Sequence, residues 1–333
     1  MDGIDVVGAG GIGCAVGYAL VVAGHSVRFV ESNTQKVEAG RKRGVQIAGR
    51  PALPASFVHF ADWQPSPERL VWLCTKCYDN EPVLARLPAP ARIVPVQNGF
   101  DTALIQRQPA AEGIASFVAQ CEPDRPCTRI TRPGELHLGP GLPPELLSGL
   151  RAAKLFGVRS VPAILPYKNA KLMYNAAISP LAAAAGLDNG ALLSHAPARR
   201  LFFALLQENY RILAEAGCPL ARIGPFAPRT VARILRRPWL ARAMARFFEP
   251  SLRGTYCSMA GEIQRGRTEL DNYTGHLLRI AARAAPFNAA VYDVVSAMTR
   301  DRAAPTLSRL QQIEERVVLR PARAELEPTR IRR

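Results

Sequence analysis

A chain of 333 residues with 48% hydrophobic and 21% charged side chains carries enough apolar material for a packed core, which excludes a disordered or collagen-like protein. At roughly one domain per 100–200 residues, this length calls for two domains. The formal charge of +16 comes from arginine, concentrated in residues 229–246 and 316–333, and no run of roughly 18 apolar residues offers a membrane span.

The chain opens on an apolar, strand-like run, Ile4 to Val7, with no basic leader, so a cytoplasmic protein is expected. The stretch "GIDVVGAGGIGCAVGYALVVAGHSVRFVE" then supplies a glycine loop, a helix over about 12–23 with Gly24 as its stop, and a second strand over 26–30. Gly8 permits a tight turn, Gly10 lets backbone approach a pyrophosphate, and Gly13 lets the helix pack against the strand. Free N–H groups at the start of that helix, at Gly11 and Ile12, face the phosphates. The loop Gly8, Gly10, Gly11, Ile12, Gly13 is therefore a candidate dinucleotide site. Glu31 ends the second strand, where a carboxylate accepts hydrogen bonds from the adenosine ribose of NAD and repels the 2′-phosphate of NADP. The counter-reading is that Arg28 or Lys36 reaches that phosphate, so the cofactor is NAD or NADP, with NAD mildly favoured by Glu31.

Apolar runs at 70–75, 92–97 and 114–119 extend the sheet, and "TRITRPGELHLG" is expected to form a hairpin with Pro133-Gly134 as its turn. Pro95 lacks the N–H for a central ladder, so the strand before Asn98 is expected to be irregular or bulged. The strand ending at Thr75 delivers Lys76, and the next delivers Asn98, to the carboxyl edge of the sheet, where ligands of open α/β sheets bind.

Lys76 lies inside Cys74-Thr75-Lys76-Cys77. As a zinc half-site this would need Cys121 and Cys127, whose five intervening residues suit a structural site poorly. As a redox pair it would have to open a helix after a strand. Two cysteines packed as small apolar residues beside a functional lysine is the favoured reading, with no metal. Seven scattered cysteines, an odd number, argue against a disulfide framework.

From residue 166 the pattern turns helical: "YKNAKLMYNAAISPLAAAAG", "ARRLFFALLQENYRILAEAG" and "TELDNYTGHLLRIAARAA". Lys171 and Asn175 share one helix face, with Ser179 a turn further on. Thr268 and Asp271 are expected to cap a helix whose first turn holds Glu269. In "RTVARILRRPWLARAMARFF", Arg229, Arg233, Arg236 and Arg237 recur at helical spacing opposite apolar residues, as on a solvated helix face. No nucleic-acid motif accompanies them.

The set GAGGIG, TK at 76, QNG at 98, "KLMYNAAISPLAA" and "CSMAGEIQRGRTELDNYTG" resembles the ketopantoate reductase family, in the family's order and spacing from about residue 4 to about 300. The resemblance implies a Rossmann-type α/β domain over residues 1–164 and an all-helical catalytic domain over 165–315, with the site in the cleft between; residues 316–333, where Glu325 and Glu327 lie among arginines, are expected to form a basic, mobile tail. It implies Lys171 as general acid, Glu269 as its carboxylate partner, and Asn175, Ser179 and Ser258 around the 2-oxo acid. Lys76 and Asn98 fall at the junction of cofactor and substrate. Hydride arriving at a ketone carbon builds charge on its oxygen, which a positioned ammonium stabilises and protonates.

Two positions depart from the family pattern. Ser179 stands where a second asparagine is common, and Glu31-Ser32 stands where NADP-dependent members have an arginine after the second strand. The expected function is NAD(P)H-dependent reduction of 2-dehydropantoate or a related 2-oxo acid, with a small-molecule substrate, a homodimer allowed, and no nucleic-acid or membrane partner. The alternatives are reduction of another 2-oxo acid or imine in a tailoring pathway, and a non-catalytic dinucleotide sensor. A third is a nucleic-acid-binding protein whose binding would collapse with added salt.

Overall fold

Apolar runs alternating with glycine loops and helices build a parallel sheet at the start of the chain. In the computed structural model, which describes residues 3–324, the elements run β1 (Ile4–Val7), α1 (Gly11–Val22), β2 (Val27–Glu31), α2 (Thr34–Arg43), β3 (Gln46–Ile47), β4 (Ser56–His59), β5 (Leu70–Leu73), α3 (Asn80–Arg86) and β6 (Ile93–Pro95). Five strands form one all-parallel sheet in the order β4-β2-β1-β5-β6. The order reverses between β1 and β5, and burial on both faces explains why β5 reads as an unbroken apolar run. Pro95 sits on β6, the last strand of this sheet, with its missing N–H on the side away from β5, where pairing is reduced to a single bridge, Val96 to Gly113.

Alternate residues of β1 serve two cores. Ile4 and Val6 pack with α1, Phe29 and Trp72, while Val7 packs with Val30, Val71, Leu73 and Trp63 on the opposite face. Asp5, between them, is wholly buried. Its carboxylate accepts from Arg28 Nε at 3.0 Å and Nη2 at 2.6 Å, from Arg69 Nε at 2.6 Å and from Trp63 Nε1 at 2.9 Å. The charge is tolerated because its oxygens are satisfied and the two arginines, 26% and 18% exposed, keep contact with water.

The chain continues through α4 (Thr102–Gln106), β7 (Gly113–Ala115), β8 (Val118–Cys121), β9 (Cys127–Arg132), β10 (Glu135–Leu138), α5 (Pro144–Ala152) and β11 (Gly157–Ser160). These strands do not extend the parallel sheet as expected; they form two three-stranded sheets, β11-β10-β7 and β3-β9-β8. Nor is Pro133-Gly134 a hairpin turn. The turn falls at residues 122–126, so that β8 pairs antiparallel with β9, and β7 pairs antiparallel with β10. Pro133-Gly134 is instead a bend in one arm of a long two-stranded ribbon. There Pro133 lacks an N–H for the ladder, and a Cβ on Gly134 would lie 2.5 Å from the Phe117 nitrogen.

The second half is helical: α6 (Leu165–Ala185), α7 (Asn189–Ser194), α8 (Ala196–Glu215), α9 (Pro228–Leu235), α10 (Pro238–Leu252), α11 (His276–Ile280), α12 (Pro286–Arg300) and α13 (Ser308–Ala324). Contacts divide the chain into two units, Met1–Ile164 and Leu165–Arg333. In the second, α6 packs on α8 and α12. Three buried polar residues fix their register: Asn288 Nδ2 donates to Glu208 Oε2 and Asn209 Oδ1, both at 2.7 Å, and Asn209 Nδ2 donates to the Met173 carbonyl at 3.0 Å. Glu208 also accepts from the Asn288 backbone N–H at 2.7 Å, capping the start of α12.

Arg229, Arg233, Arg236 and Arg237 are exposed on and after α9, while Val231, Ala232 and Leu235 are buried, as a solvated face requires. Residues 316–324, expected to begin a mobile tail, continue α13, which Leu310 and Ile313 anchor by burial; residues 325–333 lie outside the described region. No helix among the described residues is long and apolar enough to cross a membrane.

Replacing Asp5 with alanine strands two guanidiniums and an indole N–H without their acceptor. Urea unfolding of Asp5→Ala is expected to show a loss of about 3–5 kcal/mol, as for one partner removed from a buried ion pair.

Candidate active site

The glycine loop follows β1 because only glycine fits three of its contacts. Gly8 has φ +93°, and a Cβ there would meet the Thr75 nitrogen at 3.0 Å; one on Gly13 would lie 1.9 Å from the Gly8 carbonyl oxygen, and one on Gly11 2.3 Å from the Ala119 oxygen. Gly10 differs, with nothing within 4 Å of its added Cβ. It caps α1 without a side chain, and the first turn of α1 carries no acid. The helix start at Gly11, Ile12 and Gly13 has no intrahelical partner for its first N–H groups, which face an open position suited to a phosphate.

Glu31 is built into this loop. Its Oε2 accepts from the Ala9 N–H at 3.1 Å, and its Oε1 from the Ser32 N–H at 2.8 Å and the Asn33 N–H at 3.0 Å. Both cations considered for a 2′-phosphate are otherwise engaged. Arg28 is held by Asp5, and the Lys36 ammonium, 8% exposed, turns to the Ala9 carbonyl at 3.4 Å.

Lys76 caps the 3₁₀ turn Cys77–Asp79 after β5, and Asn98, half-buried, follows β6. β1, β2, β5 and β6 are parallel neighbours, so the glycine loop, Glu31, Lys76 and Asn98 all lie at one edge of the sheet. A cluster that sequence reasoning missed binds the last two loops together. Gln97 Nε2 donates to the Thr75 carbonyl at 2.9 Å and to Asn80 Oδ1 at 2.7 Å, and Asn80 Nδ2 returns a bond to Gln97 Oε1 at 3.0 Å and another to Asp101 Oδ2 at 2.6 Å. Gln97 belongs to the QNG motif with Asn98, which was the signal the sequence offered for it. Cys77 Sγ donates to Gln97 Oε1 at 3.8 Å, and burial pushes the Cys74 thiol up to about 12; Cys77 is buried, Cys74 is partly buried against the core, and neither is in a disulfide. Among the described residues no group of His, Cys, Asp or Glu is assembled to hold a metal ion.

In the helical unit, Lys171, Asn175 and Ser179 occupy successive turns of α6, the first two half-buried and Ser179 7% exposed. Pro180 inside α6 removes the N–H that the Ala176 carbonyl would receive. Cys257 Sγ donates to the Ser179 carbonyl at 3.3 Å and ties the turn Ser258–Gly261 to this stretch of α6, leaving Ser258 exposed. Glu269 is 4% exposed, and its Oε2 accepts from the Tyr273 hydroxyl at 3.1 Å. Burial brings the Lys171 ammonium down to about 8, against the opposing attraction of Glu269. Glu269 is thus near enough to Lys171 for the two charges to attract.

Thr268 Oγ1 accepts from the Leu270 N–H at 3.3 Å, but Asp271 does not join it as a cap. The Asp271 carboxylate takes the Tyr292 hydroxyl instead, and Asp271–Gly275 forms a π-helical turn before α11. Lys168, one turn before Lys171 and 5% exposed, also went unnoticed in the sequence. With Arg279 it presses on His276, which burial first and these two charges next bring down to about 4, keeping that ring neutral.

A parallel sheet of this order, with a glycine loop opening α1 and an acidic residue closing β2, defines a dinucleotide-dependent enzyme. The family model "Ketopantoate reductase PanE/ApbA" matches residues 4–139, and "Ketopantoate reductase PanE/ApbA C terminal" matches residues 163–299. The chain belongs to that family and is an NAD(P)-dependent oxidoreductase. No curated protein matches it by sequence. Among solved structures it is similar to a PanE/ApbA family ketopantoate reductase from Ralstonia eutropha JMP134, with TM-score 0.72 and 22% identity over 90% of this chain and 99% of that one. A D-mandelate dehydrogenase with NADH and anilino(oxo)acetate aligns with TM-score 0.71 and 18% identity, covering 90% and 99%. The 2-dehydropantoate 2-reductase of Methylococcus capsulatus aligns with TM-score 0.68 and 20% identity, covering 90% and 97%. At such identities the likeness is one of fold.

Two glycines separate folding from binding. Gly13→Ala must displace backbone and is expected to lose about 2–3 kcal/mol in urea unfolding. Gly10→Ala is expected to hold stability within about 1 kcal/mol while weakening NADH at least about tenfold by fluorescence titration, since its methyl would fill the open space before α1 where a phosphate is expected.

Proposed function

We propose that the protein reduces a branched 2-oxo acid, 2-dehydropantoate or a close relative, to the 2-hydroxy acid, with Lys171 as proton donor. The observation that carries this reading is the Lys171–Glu269 pair: an ammonium half-buried on α6 and brought to about 8, opposite a buried carboxylate. A donor in that range is charged at neutral pH yet releases its proton readily. NAD(P)H supplies the hydride. As charge grows on the substrate oxygen, the Lys171 Nζ stabilises it and gives up its proton, while Glu269 keeps the ammonium charged beforehand and aims it. Tyr273 orients Glu269 in turn. Asn175, Ser179 and Ser258 offer neutral hydrogen-bonding groups for the carboxylate and hydroxyl of the acid.

Two features refine the reading. Glu31, held by three backbone N–H groups, with Arg28 and Lys36 engaged elsewhere, supports NADH over NADPH. Ser179 supports a substrate other than 2-dehydropantoate itself, because a shorter donor leaves a substrate hydroxyl unpaired at roughly 1–3 kcal/mol. The same acid and hydride geometry would serve an imine formed from a 2-oxo acid.

Steady-state oxidation of NADH and NADPH with 2-dehydropantoate tests the proposal. Lys171→Ala is expected to lower kcat by at least about 100-fold. For the wild type, kcat/KM for reduction should be flat at neutral pH and fall above about 8, as the acid loses its proton. Glu269→Gln removes the attraction that raises the Lys171 value, so this limb should move to lower pH. Turnover that survives Lys171→Ala would overturn the assigned acid; NADPH preferred over NADH would overturn the role of Glu31.

A further inference from the structure

Beneath the glycine loop, two thiols from distant parts of the chain meet. Cys14, in the first turns of α1, is buried, and Cys121, at the end of β8, is partly exposed. Their sulfurs are 4.0 Å apart across a sequence separation of 107 residues. Both also lie against the Ala9 carbonyl oxygen of the glycine loop, at 3.2 Å and 3.5 Å. The Lys36 ammonium, from α2, is 3.8 Å from the Cys121 sulfur and 3.4 Å from the same carbonyl. Reduction of a 2-oxo acid uses neither thiol.

We propose that Cys14 and Cys121 are a reversible dithiol–disulfide pair that responds to hydroperoxides, with Cys121 as the attacking thiolate and Cys14 as the thiol that resolves it. The two sulfurs are not equivalent. The hydrogen bond from Cys14, then Thr128 and Lys36, bring Cys121 down to about 6 in spite of burial, whereas Cys14 is held well above its usual range by Cys121 and by burial. Cys121 is also the one a peroxide can reach. Its thiolate attacks one peroxide oxygen, the O–O bond breaks, and hydroxide (or alkoxide) leaves, giving the sulfenic acid. The Cys14 sulfur then attacks the Cys121 sulfur, expelling water as the S–S bond forms. The peroxide is reduced by two electrons and the thiols are oxidised by two.

The bond would also act on the loop. A disulfide requires sulfurs about 2.05 Å apart, so the two sulfurs must approach by about 2 Å, and whatever rotamer change does not supply must come from a shift of β8 against α1. β8 already touches the first turn of α1, where the Ala119 oxygen blocks any side chain at Gly11. Oxidation also removes the Cys14 S–H donor from the Ala9 carbonyl. The start of α1 is thus displaced, and dinucleotide affinity falls. This consequence rests on the dinucleotide reading of the loop; the bond itself does not.

Purified wild-type protein treated with hydrogen peroxide, then digested without reductant and mapped by mass spectrometry, tests the bond. The expected result is a loss of two hydrogens per chain, a cross-linked peptide pair containing Cys14 and Cys121, and reversal by dithiothreitol. Cys127→Ser should leave the cross-link intact, and Cys14→Ser should stop at a sulfenic acid on Cys121 that dimedone traps. A cross-link to Cys127, or no cross-link while Cys121 accumulates higher oxides, overturns the pair. NADH titration of reduced and oxidised protein then tests the consequence, with at least about a tenfold rise in Kd on oxidation, restored by dithiothreitol. Unchanged affinity overturns the coupling. Failure of the reduced protein to bind NADH or NADPH would instead overturn the dinucleotide reading, with the mapping result standing apart from it.

Discussion

Helix α1 can begin where it does only because Gly13 presents hydrogen, and nothing larger, to the carbonyl of Gly8. That approach draws the helix against the end of β1 and points its first N–H groups at one place above the sheet edge. The rest of the edge is arranged around it. Glu31 reaches back from β2 to the Ala9 N–H, so the loop and the second strand move as one piece. Gly8 lies against Cys74 and Thr75, which brings the loop after β5 equally close. A larger residue at Gly8 or Gly13 would separate elements that the site requires together.

Buried polar clusters complete this positioning, and each joins segments far apart in sequence. Asp5 clamps β1 to Arg28 on β2 and to the Trp63 and Arg69 segment. Asn80 and Gln97 lock the loops after β5 and β6 to each other. In the helical unit, Asn209 bonds the carbonyl of Met173, two residues beyond Lys171, while Glu208 caps α12. Such groups are costly to bury and add little net stability, but a partly satisfied cluster is worse than none, so each has essentially one arrangement. That property suits residues whose neighbours must be placed to within a fraction of an ångström.

Charge is treated differently at Lys171. Asp5 is fully paired inside the protein, whereas at Lys171 burial outweighs the attraction of Glu269 and brings the ammonium down to about 8. Cys14 and Cys121 follow the same logic with sulfur: proximity to each other and to Lys36 divides one proton unequally between two thiols.

Much of the fold was legible because its signals are local. A glycine that must adopt φ +93°, an apolar run of strand length, and the repeat of Lys171, Asn175 and Ser179 down one helix face each depend on a few neighbouring residues. The parallel sheet, the helical second half and the shared sheet edge of Gly10, Glu31, Lys76 and Asn98 could therefore be anticipated. What could not be anticipated depends on partners that no local pattern names. Pro133-Gly134 has the composition of a turn, yet it bends a ribbon, because the choice of strand partner is settled by packing across two sheets. Cys74 and Cys77 carry a spacing that invites pairing and do not pair, while Cys14 and Cys121, 107 residues apart, come within 4.0 Å. The sequence by itself determined which segments become strands, helices and tight loops; only the tertiary structure decided which side chains meet, because such contacts are set by the packing of the whole unit.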